Sequence, residues 1–231
     1  MTEELRKAVI AAYGGESIWR TAKKVKATVW TGGLAFIVKF QRGARGRAEV
    51  DLSWPWTKLH LDPEGIVGVL EGGDVRLETS AGQVLASRGN ARSLFPGGRR
   101  AFWWERLDQE YFAGYALWNY LVFPALLLRE DIIWNAISGW SLEATFPPNL
   151  PTHCRFQQFH FDPQTHLLKQ HDYTAEVFGN WAKAAHVILE HRSWNDIAFA
   201  AKRRVTLRRS DGTPGRWPVL VWIELQDWSI G

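Results

Sequence analysis

The period of the hydrophobic pattern changes three times along the chain. In Glu3–Tyr13, Leu5, Ala8, Val9 and Ala12 recur at helical spacing, which predicts an amphipathic helix closed by Gly14-Gly15. Ser17–Ala22 adds a turn that packs Ile18 and Trp19. From Val25 the period is two: Val25, Ala27, Val29 and Thr31 alternate with Lys24, Lys26, Thr28 and Trp30. A second strand is expected at Leu34–Phe40, after a Gly32-Gly33 hairpin turn, and further strands at Gly46–Leu52, Lys58–Leu61, Ile66–Leu70, Asp74–Glu78 and Gln83–Ser87. Asp62–Gly65 and Thr79–Gly82 read as turns. No crossover helices separate these strands, so the pattern predicts an antiparallel meander.

Helical spacing then returns. Leu107, Tyr111, Tyr115 and Trp118 share one face of Arg106–Tyr120, and Leu126–Ile137 reads as a second helix restarted after Pro124. Strands resume at Trp140–Phe146, stop at Pro147, Pro148 and Pro151, and continue at Arg155–Phe161, His166–Tyr173, His186–His191, Arg203–Arg209 and Pro218–Leu225. Roughly ten strands in one sheet tend to coil. The expected fold is therefore α+β: one large, highly curved antiparallel sheet with helices covering its concave face. The chain reads as a single domain, 1–231, made of an N-terminal helical segment (1–22), a first strand block (23–100), a helical insertion or lid (101–139) and a second strand block (140–231).

Composition changes the picture at one place. With 14 Trp and 12 Phe but one Met, the chain favours a rigid interior. The aromatics concentrate in Phe102–Trp140, and such a segment is core, membrane-associated or the wall of an apolar cavity. Its apolar run, Tyr120–Leu128, is shorter than the roughly 18 residues of a spanning helix and ends at Arg129, Glu130 and Asp131. No transmembrane segment is expected, although transient contact with a membrane fits the aromatics. The net charge of +4 permits anionic partners without implying them. Cys154 stands alone, so no intrachain disulfide forms. Met1–Gly15 lacks the apolar stretch of a signal peptide, and a cytoplasmic location is expected.

The candidate apolar lining is Trp103, Trp104, Tyr111, Tyr115, Trp118, Tyr120, Phe123 and Trp134, because Trp and Tyr offer a large apolar face with one polar handle. The same residues serve equally as a helix face packed on the sheet, and both readings stay open. For acid–base chemistry the candidates are His171 as proton shuttle with Tyr173 and Glu190 in support, Glu190 sharing an alternation with His186. The alternative is polar residues on the exposed face of the sheet. His153, His160, His166 and His171 match none of the usual ligand spacings, so no metal is expected. Gly43–Gly46 and Gly97–Arg100 lack nucleotide fingerprints, and no cofactor is expected. Arg203, Arg204, Arg208 and Arg209 form a basic patch without a nucleic-acid-binding module and read as solvated strand surface.

Ala12-Tyr13-Gly14-Gly15 with Ile18-Trp19 and Val25–Val29, then Leu150-Pro151-Thr152-His153, Phe159-His160-Phe161-Asp162, Leu167-Leu168 and His171-Asp172-Tyr173, resemble small bacterial proteins of unassigned function. The order of elements resembles the bacterial lipoprotein-carrier and lipoprotein-receptor superfamily. That resemblance implies an incomplete β-barrel lidded by helices around an apolar cavity. Its carriers are exported and its receptors are anchored through an N-terminal Cys, features not matched here, so lipoprotein transport and individual ligand residues are not carried over. The expected partner is a hydrophobic or amphipathic small molecule, a lipid included. An enzyme acting on such a molecule is the alternative, and a structural or protein-interaction domain with a solid core the third reading. The sequence leaves the oligomeric state open.

Overall fold

The computed structural model describes residues 2–62 and 65–231. Helices α1 (Thr2–Ala12) and α2 (Glu16–Thr21) open the chain. Gly14 and Gly15, at φ 94° and 89°, make the left-handed turn between them, where a side chain would be strained. A six-strand meander follows: β1 (Lys24–Gly32), β2 (Ala44–Asp51), β3 (Trp56–Asp62), β4 (Ile66–Glu71), β5 (Asp74–Thr79) and β6 (Val84–Arg88). Pro63 and Glu64 of the expected turn lie outside the described residues.

Leu34–Phe40 is not a strand. It forms a short helix, α3 (Leu34–Ile37), and a turn that holds Phe40 at φ 57°. Gly33 decides this: at φ 131° it swings the chain off the sheet. The Leu34 and Ala35 amides then donate to the Val219 and Leu220 carbonyls, at 3.1 and 2.9 Å. Ala44, not Leu34, resumes pairing with β1, opposite Thr31.

After β6 the chain enters α4 (Arg106–Val122), of whose 17 residues 15 are buried. Beyond it the expected second helix at Leu126–Ile137 is absent. A 3₁₀ turn covers Ala125–Leu128, and β7 (Ile133–Ala136) pairs with β8 (Ser141–Thr145). Ile133 points to solvent while Trp134 is buried, the alternation of a strand, and β-branched Ile132-Ile133 beside Trp134 favours that state over helix. The chain continues through β9 (Phe156–Phe161), β10 (Leu168–Thr174), β11 (Lys183–Trp194), β12 (Ile197–Leu207) and β13 (Val221–Ile230).

These 13 strands form one antiparallel sheet in the order β6-β5-β4-β3-β2-β1-β13-β12-β11-β10-β9-β8-β7. The first and last strands pair at its middle, β6 and β7 are its edges, and it does not close. The concave side is filled from within by α4, with α1 and α2 reaching β7 and the 3₁₀ turn. At the start of α4, Asp108 is fully buried and accepts from the Glu105 amide at 3.1 Å. Arg88 and Arg100 hold its carboxylate at 2.5 and 2.6 Å, so the anion at the helix N-terminus is both dipole-matched and paired. Among the described residues no helix is long and apolar enough to cross a membrane.

Candidate functional site: an apolar cavity beside α4

α4 does not fill the whole concave side. Between its N-terminal half, α3 and the inner faces of β10, β11 and β12 lies a cavity of about 800 Å³. The space exists because the sheet presents small side chains there. Ala175, Ala182, Ala184 and Val205 line one wall, and Leu34, Ala35, Val38 and Phe112 face them. Phe178, Pro218, Leu220 and Val221 close the ends, while Phe40, Phe102, Trp181 and Leu207 reach the rim. Lys39 contributes the cationic group in this wall. Its Nζ donates to the Arg100 carbonyl at 2.9 Å and to that of Ala101, and lies 5.6 Å from the rings of Trp104 and Phe178. Burial pushes its pKa below the ordinary lysine value.

None of the eight aromatic positions singled out from the sequence stands in this wall. Trp104, Tyr111, Tyr115, Trp118 and Tyr120 are buried in and around α4, and Trp118 donates to the Asp51 carbonyl at 2.8 Å. Phe123 stacks on Phe159 at 5.7 Å, with Trp134 tilted against the same ring at 5.2 Å. Trp103 lies partly exposed under the Arg99 guanidinium. From the same segment it is Phe112 and Phe102 that meet the cavity. The rest of the lining comes from α3, from the inner face of the second strand block and from loops. Its signals in the sequence were Ala182 and Ala184 in one strand approach, and aromatics isolated among turn residues, as in Gly179-Asn180-Trp181 and Arg216-Trp217-Pro218.

Two polar side chains, His153 and Tyr173, face the cavity and are tied to groups behind them. The Tyr173 hydroxyl lies 2.7 Å from that of Tyr120, which lies 2.7 Å from His153 Nε2, and His153 Nδ1 lies 3.3 Å from the Tyr115 hydroxyl. The His153 and Tyr173 rings stack at 3.8 Å. This chain of bonds runs in either direction, so Tyr173 can offer a ligand an O–H or a lone pair. Burial pushes the Tyr115 and Tyr173 phenols well above their ordinary value, and His153 well below its own. All are neutral at physiological pH.

His171 sits one layer deeper, stacked on Phe159 at 4.1 Å. Its Nε2 lies 2.6 Å from Gln157 Oε1, while the Gln157 amide nitrogen donates to Thr152 and Cys154, so His171 carries its proton on Nε2. Burial lowers its pKa to about 3, which makes it a weak base. Glu190 is on the outer surface, paired with Arg192 and Lys202. Register breaks between Ile188 and His191 end the alternation that was expected to put it on one face with His186. The structure thus brings Tyr173 to the cavity, holds His171 behind it and keeps Glu190 apart. His186 is fully buried. Among the described residues neither of its ring nitrogens has a hydrogen-bond partner, and its ring meets Tyr120 edge to face at 4.5 Å.

Arg203, expected on solvated surface, points inward and is buried; its guanidinium donates to the Tyr120 and Ala200 carbonyls, each at 3.1 Å, and covers the Tyr120 ring. Burial lowers its pKa to about 10, so it stays charged at neutral pH. Behind the His153–Cys154 backbone a more polar groove of about 360 Å³ contains Arg92 and Glu176, which pair with each other. Cys154 lines that groove, with its thiol pushed up to about 11 by burial, and is chemically quiet. Among the described residues no group of His, Cys, Asp or Glu is placed to hold a metal ion.

No protein-family model matches the chain, and no curated protein matches it. Solved structures do. A DUF1329 family protein from Desulfovibrio piger superposes with a TM-score of 0.53 at 10% identity, covering 98% of this chain and 92% of the other. A LolA superfamily protein from Nitrosomonas europaea gives 0.52 at 9% identity over 98% and 92%. The chain has the LolA-like fold. A protein from Vibrio parahaemolyticus described as an outer membrane lipoprotein-sorting protein domain gives 0.53 at 11% identity over 98% and 91%. At such identities the likeness concerns architecture alone: an α+β incomplete barrel, here an unclosed sheet of 13 strands wrapped on a helix.

Proposed function

We propose that this chain binds a hydrophobic or amphipathic molecule, a lipid or its acyl chain, in the cavity between α3, α4 and β10–β12. The observation that carries the proposal is the cavity of about 800 Å³, within the range of ligand sites and walled almost entirely by apolar side chains. Affinity would come from apolar area, at roughly 0.8 kcal/mol per buried methylene before the cost of ordering the ligand. Orientation would come from the few polar groups in the wall: the Tyr173 hydroxyl and His153 at one place and the Lys39 ammonium at another. The fold supports the same reading, since one structure that shares it is described as that of an outer membrane lipoprotein-sorting protein domain.

Two measurements test this. Native mass spectrometry with solvent extraction of protein from its own host should find a co-purifying apolar molecule. A fluorescent fatty acid should bind the delipidated protein with a rise in emission, and Ala184→Phe, which places a ring in the cavity, should weaken it at least tenfold. Failure to bind any acyl probe after delipidation, with no co-purifying molecule, would sink the proposal.

A further inference from the structure

We infer that the rim of this cavity is a docking surface for an anionic lipid bilayer. Ile37, Val38, Phe40, Phe102, Trp181 and Trp217 are each more than half exposed, from 51% at Val38 to 82% at Trp217. Single exposed apolar side chains are ordinary, but a group of this size around one opening is not. Val38, Phe40, Phe102 and Trp181 stand in the wall of the same cavity; Ile37 adjoins Val38 in α3, and Trp217 adjoins the lining residue Pro218. Phe and Trp on a ring of this kind are the side chains that settle at the boundary between head groups and acyl chains.

The charges around the ring identify the occupant. Arg42, Lys183 and Arg216 each lie within two residues of Phe40, Trp181 or Trp217, and no Asp or Glu does, whereas the nearby Lys39 ammonium and Arg100 guanidinium are turned inward to backbone carbonyls and to Asp108. Arg42, Lys183 and Arg216 are exposed and make no ion pair among the described residues. The Arg99 guanidinium lies over the Trp103 ring, 4.6 Å from its centroid, and pairs with Glu105 at 2.9 Å. A second copy of the chain seated on this rim would bring cations against cations. An anionic bilayer satisfies both features, taking the apolar tips below the head groups while lipid phosphates meet the guanidinium and ammonium groups. Docked in this way, the mouth opens onto the bilayer, and an apolar ligand enters the cavity without crossing water. The inference concerns the outer ring and holds whatever the cavity contains.

The test is flotation of the full chain with vesicles of phosphatidylcholine alone and of phosphatidylcholine mixed with phosphatidylglycerol. Binding to the mixed vesicles is expected to be at least tenfold stronger and to fall with added salt. The double variant Ile37→Ser with Trp217→Ser removes two tips that lie outside the cavity wall. It should lose at least tenfold in vesicle binding while keeping the parent's melting temperature and fatty-acid probe affinity. Arg42→Glu with Arg216→Glu should abolish the preference for phosphatidylglycerol. Equal flotation of parent and both variants, or no flotation with either vesicle, overturns the inference. So does a concentration-dependent dimer abolished by Ile37→Ser with Trp217→Ser, which would assign the ring to a second copy. Failure of the parent protein to bind the fatty-acid probe, with vesicle binding intact, would count against the cavity reading alone.

Discussion

The two sides of α4 meet the same sheet and end differently. Toward β3–β5 the helix lies in direct contact. A Cβ on Gly114 would stand 2.8 Å from the Leu70 Cβ, one on Gly68 would overlap the Glu110 carboxylate, and Thr57 donates to the Gly114 carbonyl at 3.0 Å. Toward β10–β12 the sheet offers Ala184 and Val205, and the helix answers with Phe112 across open space. Glycine on the first side draws the helix close, and alanine on the second, with the helix already committed, leaves a cavity. Small residues thus produce tight packing where two backbones approach and empty volume where they do not.

The polar load differs as well, and acid should expose it. His153, His171 and His186 are all fully or almost fully buried on the open side, and burial lowers the pKa of each, to about 3 for His171. In the unfolded chain they titrate near 6.5. The unfolded state therefore binds more protons between those values, so stability present above about pH 6.5 is lost as pH falls toward the folded values. Each histidine contributes a slope of about 1.4 kcal/mol per pH unit, about 4 kcal/mol for the three together. The melting temperature should fall steeply between pH 7 and 5, with unfolding near pH 5 taking up about three protons from this cluster. His186→Leu should remove about one of them and, by deleting two unpartnered nitrogens, stabilise the neutral-pH protein by about 1–2 kcal/mol. A melting temperature independent of pH over that range would mean that the histidines are not held neutral.

A matched pair of substitutions addresses the packing contrast itself. Gly114→Val must push α4 off Leu70 and should cost about 3 kcal/mol, a fall of about 10 °C in melting temperature for a chain of this size. Ala184→Leu adds a comparable side chain on the open side and should leave the melting temperature within about 2 °C while weakening acyl-probe binding. Equal thermal losses from the two would show that the open side is as tightly filled as the closed one.

The strand meander was legible because alternation in stretches such as Val25–Thr31 has only one structural solution, and α4 because Leu107, Tyr111, Tyr115 and Trp118 hold helical period. Leu34–Phe40 misled because a short apolar run carries no period. The deciding contacts, from the Leu34 and Ala35 amides to Val219 and Leu220, come from the far end of the chain. Ile133–Ala136 becomes a strand for a similar reason, by pairing with a strand that has not yet appeared in the sequence. The cavity was least legible. Aromatic density led to the largest side chains, which fill space, whereas the cavity arises where alanines of β11 and the loops before it meet a helix held elsewhere by glycine. The rim was written more locally, as aromatics next to basic residues in turns.

The smallest expected effect concerns the one hydroxyl shared by the cavity and the buried network. Tyr173→Phe removes the Tyr173 oxygen but leaves Tyr120 its bond to His153 Nε2, so no buried donor loses its only partner and stability should fall by no more than about 1 kcal/mol. Ligand affinity is the more informative reading. If Tyr173 orients a polar head group, a fatty acid should lose roughly tenfold in affinity on that substitution, while a hydrocarbon probe of similar length loses none. Equal affinities for the fatty acid in parent and variant would move the orienting role to Lys39, the cation in the same wall, and Lys39→Met would then be the substitution that separates acid from hydrocarbon.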